Sequence, residues 1–355
     1  KFLLAKDVGA GSTVRGWKAA EVLLQRIEDP SDRAAIRSTY SAMIGKTGLK
    51  ISPMARQINS LFLTINIVSY LTFATIASLP DLAGPILRSK DFTAFGTWFH
   101  QWKHYFNNRQ EMKQFGRDVG ITSYDSLSTS LMNAQEMGYM TPKFQRGSDL
   151  FFRSIGLEAF TNFTRVFALG MGEQFLVRTA QRASDTSLTQ VERDRAVRHL
   201  AELQVSKEDV AHWSNKQREG TKFRTFEDEQ GKRVKEALFL FVEESIVRPN
   251  AAERPTWASN PYTALIWQLK SFFYAYGKNI IGGSFREGMN RYSEDGTITS
   301  ASMPLAIGAI ALLPLTIVGL EIREWLKFLA RGGDASAFRT DAMPWGEYTM
   351  EIIDR

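Results

Sequence analysis

His100 and His104 stand four apart in Phe99-His100-Gln101-Trp102-Lys103-His104, so a helix would put both imidazoles on one face. Two histidines at that spacing can hold a metal. Here no His-Glu-x-x-His pattern and no third ligand accompany them, and a half-buried aromatic helix explains them better. Gly45-Lys46-Thr47 resembles the tail of a phosphate-binding loop, but Tyr40 occupies the leading glycine position and no apolar strand precedes it. Gly9-Ala10-Gly11 is too short for a dinucleotide fingerprint. The acidic runs Glu227-Asp228-Glu229 and Glu243-Glu244 offer carboxylates for acid–base work, yet neighbours in sequence point to different sides of a helix. With four histidines and no cysteine in 355 residues, thiol nucleophiles, disulfides and cysteine-bound zinc are excluded. No catalytic residue, metal or cofactor is expected.

The elements that carry these residues read as helices. Pro30-Ser31 before Asp32-Arg33-Ala34 predicts a capped helix start. Thr189-Gln190-Val191-Glu192 has capping-box spacing, with Val191, Val197, Leu200 and Leu203 expected on the buried face that follows. Ser206-Lys207-Glu208-Asp209 predicts another start, ahead of Val210 and Trp213. Phe151, Phe152, Phe160, Phe163, Phe167 and Phe175 mark a long amphipathic helix from about Ser148 to Ala183, and Tyr262, Trp267, Phe272 and Tyr276 mark a second. Period-two alternation is absent. The expected fold is all-α, an extended multi-helix assembly with long amphipathic helices and two very hydrophobic ones. Breaks are expected near 79–85, 138–147, 218–225, 248–261 and 292–299. They outline an N-terminal region (1–90), an amphipathic region (91–187), a helical domain (188–295) and a hydrophobic helix with a tail (296–355).

Two uncharged stretches stand out in a chain whose formal charge is only +6 and whose mean hydropathy is −0.22. One spans Gln57–Pro80 and carries Leu61, Ile67 and Leu71. The other spans Gly296–Leu320, with an apolar heart from Met303 and with Leu305, Ile310 and Leu315 inside it. A helix needs about 20 mostly apolar residues to cross a bilayer, and both are long enough. Asn59, Asn66, Ser69 and Thr72 favour a core helix for the first. For the second, Pro314 predicts a kink that spanning helices tolerate. Trp325, with Arg323, Lys327 and Arg331, suits the membrane interface beyond its end. Positive charge before the first stretch and after the second places both flanks on one side, and the residues between on the other. That topology is awkward for biosynthetic insertion but open to a protein delivered from outside. Lys103, Arg109, Lys113 and Arg117, and again Arg193, Arg195 and Arg198, form basic faces that suit phosphate backbones or plain solvent.

Prolines dominate the stretch that follows Phe241-Val242-Glu243-Glu244-Ser245-Ile246-Val247. Arg248-Pro249-Asn250 leads to Glu253-Arg254-Pro255-Thr256-Trp257-Ala258-Ser259-Asn260-Pro261, then to a helix with Gln268-Leu269-Lys270-Ser271-Phe272. Each proline biases its predecessor away from helix, so this reads as a stiff corner between two helices. Arg248 and Arg254 are expected to pair with Glu243, Glu244 or Glu253, and Trp257 to anchor the turn.

The same stretch resembles a helical domain near the C-terminal side of large phage polyvalent proteins and virion ejection proteins, where an Arg-Pro-x-Trp-x-Ser-x-Pro turn precedes a Gln-x-Lys-x-Phe helix. The resemblance covers about 188–283, including Leu203-Gln204-Val205-Ser206, and is looser over 61–182. It implies a virion component carried in the capsid and injected with the genome. The expected partners are further copies of itself, other ejection, portal or tail proteins, the host inner membrane, and double-stranded DNA through backbone contacts. The expected location is the virion interior, then the host envelope. The sequence opens on Lys1, which fits a segment of a longer chain that carries any enzyme elsewhere. The alternative from another class is a docking domain that tethers a large virion enzyme, such as an RNA polymerase, to the portal or tail.

Overall fold

A computed structural model describes residues 22–43, 74–121, 153–218, 226–246 and 281–330, with scattered positions between 52 and 65 and between 146 and 151. The chain divides into two compact units. One comprises Lys1–Ser69, Ser123–Phe151 and Arg248–Ala275; the other comprises Tyr70–Thr122, Phe152–Val247 and Tyr276–Arg355. Every regular element among the described residues is a helix.

In the first unit, helix α1 (Pro30–Met43) starts as the sequence suggests but with a different cap. The Asp29 carboxylate accepts the Ser31 N–H at 2.7 Å. Pro30 therefore occupies the first helical position, where a missing N–H costs nothing.

The second unit holds α2 (Ala74–Ala77), a 3₁₀ turn (Leu79–Ala83), α3 (Gly84–Ser89), α4 (Thr93–Asn107) and α5 (Arg109–Val119). After these come α6 (Leu157–Ser184), α7 (Gln190–Glu202), α8 (Lys207–Arg218), α9 (Glu229–Ser245), α10 (Gly282–Asp295) and α11 (Ile298–Ala330). Helix α6 is the axis. It begins at Leu157, later than Ser148, because Gly156 sits at φ +74° and supplies a left-handed kink that other residues resist. Its middle, Thr164–Met171, is buried on every side, since α4, α5, α7, α8 and α9 surround it. The phenylalanines expected on one apolar face therefore serve a central helix. Phe163 meets Tyr105 edge-on at 4.8 Å, and Phe167 meets Trp98 at 5.8 Å. Burying a ring such as Phe167 is worth about 1.5–3 kcal/mol. Arg165, fully buried within this axis, is neutralised by Glu243 of α9.

The expected caps form. Thr189 and Glu192 make the reciprocal capping box of α7. Ser206 and Asp209 do the same for α8, and Asp228 caps α9 through the Gly231 N–H. Val210 and Trp213 are buried, and Trp213 stacks on Phe226 at 5.9 Å. The inward face of α7 is rotated from expectation. Leu200 and Leu203 are buried with Ala196 and His199, whereas Val191 and Val197 face solvent. The rotation follows from polar contacts that draw Arg198 and His199 inward.

Glu243 and Glu244 pair with Arg165 and Arg88, from α6 and α3; the corner arginines expected to pair with them lie outside the described residues. Gly84 permits the close approach of α3 to α9: a Cβ there would lie 1.9 Å from the Ser245 carbonyl oxygen.

Candidate functional site

Helix α11 is 33 residues long and passes through both Pro304 and Pro314. Its inner side is built of small or flat residues. Ile307 and Ala311 are buried, Gly308 lies against Leu87, and Gly319 lies against the Ile76 carbonyl. Its outer side is apolar too. Leu305, Ile310 and Leu313 are exposed before Pro314 is passed, and Val318, Ile322 and Trp325 after it. Only 22% of its most apolar stretch is buried. A core helix of a water-soluble protein would have most of that surface covered. The Met303–Leu320 section, at 1.5 Å per residue, extends about 27 Å, close to the hydrocarbon thickness of a bilayer. Beyond it, exposed Arg323 and the Lys327–Glu324 pair at 2.7 Å flank Trp325.

The N-terminal end of α11 is fixed through α10. Gly288 of α10 lies against the Ala301 carbonyl, with room for no side chain. Next to it in sequence, Glu287 is fully buried and accepts hydrogen bonds from four residues. Arg198 donates at 2.8 and 3.2 Å, Arg291 at 2.8 Å, His199 at 3.0 Å and Lys90 at 3.2 Å. Burial opposes its charge, but His199, Arg198 and Lys90 hold its carboxyl far below the usual carboxylate range. An ionised carboxylate only accepts, so His199 presents Nε2–H to it. Burial also pushes His199 below its ordinary value, against the pull of Glu287, which leaves the imidazole neutral. The network continues outward. Glu294 joins Arg195 and Arg198 at 2.7 and 2.8 Å, Asp295 joins Arg195 at 3.0 Å, and Arg291 donates to the Lys90 carbonyl at 2.6 Å. Helix α10 is thereby clamped to α7 and to the turn after α3.

Under α11, in the 3₁₀ turn, burial alone pushes the Asp81 carboxyl up to about 7. The folded state thus keeps, between about pH 4 and 7, a proton that the unfolded chain has released. This contribution to stability is complete below pH 4, falls as pH rises towards 7, and is level above that. Replacing Asp81 with Asn is expected to remove this fall from a plot of Tm against pH, measured as the difference from wild type. An unchanged difference across the window would contradict the assignment.

The basic residues of α4 and α5 are placed as the periodicity suggests. Lys103, Arg109, Lys113 and Arg117 are all exposed. On α5 the last three recur every fourth residue along one side, a stripe about 12 Å long. Arg195 and Arg198 differ. Their side chains, 17% and 25% exposed, are committed to Glu294, Asp295, Glu287 and Glu202, and Arg193 bonds to Gln190 and the Leu188 carbonyl. Arg195 and Arg198 thus belong to the interior network, and Arg193 to the start of its own helix.

Leu61 is 47% exposed, Leu305, Ile310 and Trp325 lie on the outer side of α11, and Leu315 is half-buried. Ile67 and Leu71 lie outside the described residues, as do Arg248, Pro249, Arg254, Pro255, Trp257, Pro261, Gln268 and Lys270 of the corner. His100 and His104 stack at 6.5 Å on α4, and among the described residues no group of three metal-binding side chains gathers. Sequence reasoning missed Glu287 and its partners. The local clue was Glu287–Arg291, an i,i+4 pair in a helix that otherwise reads as solvated.

Comparison with protein-family models, with curated proteins and with solved structures returns no match.

Proposed function

We propose that this chain is a helical component of a phage virion that leaves the capsid with the genome, assembles with copies of itself, and enters the host membrane through α11. The observation that carries the membrane step is the outer side of α11, apolar over a bilayer-matched length and left uncovered. The proline corner, by its resemblance to ejection proteins, supplies the phage setting.

The first turn of α11 stays with α10, because Gly288 and Ala301 are in backbone contact and α10 is clamped by Glu287. After Pro304 the inner side packs on the 3₁₀ turn, α2 and α3 rather than on α10, so α11 exchanges that protein surface for lipid from the proline onward. The α5 stripe then faces the passing DNA and holds it by charge alone, without reading its sequence.

Dye-filled anionic vesicles test this reading. Leakage, together with crosslinked oligomers that form only when lipid is present, is the expected result. Intact vesicles beside a protein that binds only a portal or tail preparation would favour the docking-domain alternative.

For DNA, Lys113→Glu with Arg117→Glu is expected to weaken duplex binding by about tenfold or more at low salt. It should also lower the slope of log affinity against log salt by about two phosphate contacts. Equal slopes for variant and wild type would remove α5 from the DNA path.

A further inference from the structure

A cavity of about 180 Å³ opens where the turn after α3, helices α6 and α7, and the α10–α11 hairpin meet. Five cations line it: Lys90, Arg178, Arg182, Arg195 and Arg291. The carboxylates that balance Lys90, Arg195 and Arg291 are Glu202, Glu287, Glu294 and Asp295, and these stand behind the wall rather than in it. Only Asp91 and Glu192 bring negative charge to the lining, and both are engaged: Asp91 with Arg182, Glu192 in the α7 capping box.

Arg178 is the exception in this balanced set. Among the described residues it makes one hydrogen bond, from Nη1 to the Thr97 hydroxyl at 3.0 Å, and no carboxylate lies within ion-pair distance of it. A guanidinium has five N–H donors in a fixed fork, so most of its capacity is unspent. Burial holds Arg178 below the ordinary guanidinium range; Asp91 opposes that shift and Arg182 adds to it. Such a half-buried cation in a cationic wall is the arrangement that a tetrahedral oxyanion completes.

We propose that this cavity is a binding site for a phosphate group, held by Arg178 and Arg182 with Lys90 and Arg195 around it. The volume admits inorganic phosphate, or the phosphate of a monoester or lipid headgroup, and excludes a nucleic-acid duplex. Met303 of α11 lines the same cavity, so an occupant would touch the helix proposed to enter lipid. The site itself does not depend on that proposal.

The test is titration calorimetry of the full chain with inorganic phosphate and with pyrophosphate, in chloride buffers of matched ionic strength. Saturable binding is expected, weakened by about tenfold or more in Arg178→Gln and again in Arg182→Gln, and unchanged in Lys232→Gln, an exposed lysine in the first turn of α9. Circular dichroism of each variant without phosphate checks that the fold survives. Flotation with phosphatidylglycerol vesicles then separates the sources. A parallel loss in Arg178→Gln identifies a headgroup, and no loss there identifies a free phosphate. Absence of saturable binding at millimolar phosphate, or equal affinity for wild type and both arginine variants, would overturn the proposal.

Discussion

Glu287→Ala is expected to lose about 3–5 kcal/mol of folding free energy, the largest loss from any single side chain in this network. The reason is the company it leaves. Glu287 is fully buried, and among the described residues its removal leaves Arg291 without a carboxylate and the His199 N–H without an acceptor, while Arg198 keeps Glu202 and Glu294 and Lys90 keeps Glu202. Breaking a buried ion pair by removing one partner costs that much because the charge left behind, here Arg291, has neither its counterion nor ready access to water. For a unit of this size the loss corresponds to a drop in Tm of roughly 10 °C. Glu294→Ala is the control. Its carboxylate is 23% exposed and water can replace it, so a loss near 1 kcal/mol is expected. Chemical denaturation of both variants is the measurement, and equal midpoints would mean that Glu287 holds nothing together.

The same residue bears on how α11 is released. Glu287 has a folded pKa far below its unfolded value, so its contribution to stability is present above about pH 4.5 and is lost only in strong acid. Glu287 thus keeps its charge, and its hold on α10, in mildly acidic solution. Protonation of Glu287 is therefore no acid trigger for this hairpin, and in the proposed membrane step the driving force is contact with lipid.

The second large effect concerns that contact. Ile310→Arg with Leu313→Arg places two charges on the outer side of α11, near the centre of its apolar stretch. Each arginine at a bilayer midplane costs about 2.5–3.5 kcal/mol on insertion scales, so the pair opposes entry by about 5–7 kcal/mol. Both positions are already exposed, at 53% and 58%, so the folded chain in water should be unaffected or slightly more soluble. Vesicle binding is expected to disappear while Tm stays within about 2 °C of wild type. Loss of the fold in this variant would instead show that the outer side of α11 is covered by protein.

What was legible in the sequence was local. The Thr189–Glu192 box and the Ser206–Asp209 start rest on residues within a few positions of one another, where spacing decides geometry, and the uncharged run located α11 but not its extension to Ala330. The Glu287 network was not legible, because its members come from α3, α7 and α10. Glu287 stands 88 residues from His199 and 197 from Lys90. Arg195 and Arg198 therefore read as a basic surface, since their carboxylates are invisible at the distance over which a helix face is scanned. The two valines of α7 read as core for a related reason: apolar periodicity cannot register a buried salt bridge that turns the helix. For α6, phenylalanine spacing located the helix and one face, while the closure of its other sides came from five helices that its own sequence does not register.

The measurement that tests the membrane account most directly is flotation of the purified chain with phosphatidylglycerol-containing vesicles, followed by extraction in alkaline carbonate. The account predicts that wild type floats and resists extraction, and that the Ile310→Arg, Leu313→Arg variant stays at the bottom of the gradient. A wild-type chain that remains soluble beside the vesicles, or is stripped from them by carbonate, would contradict it.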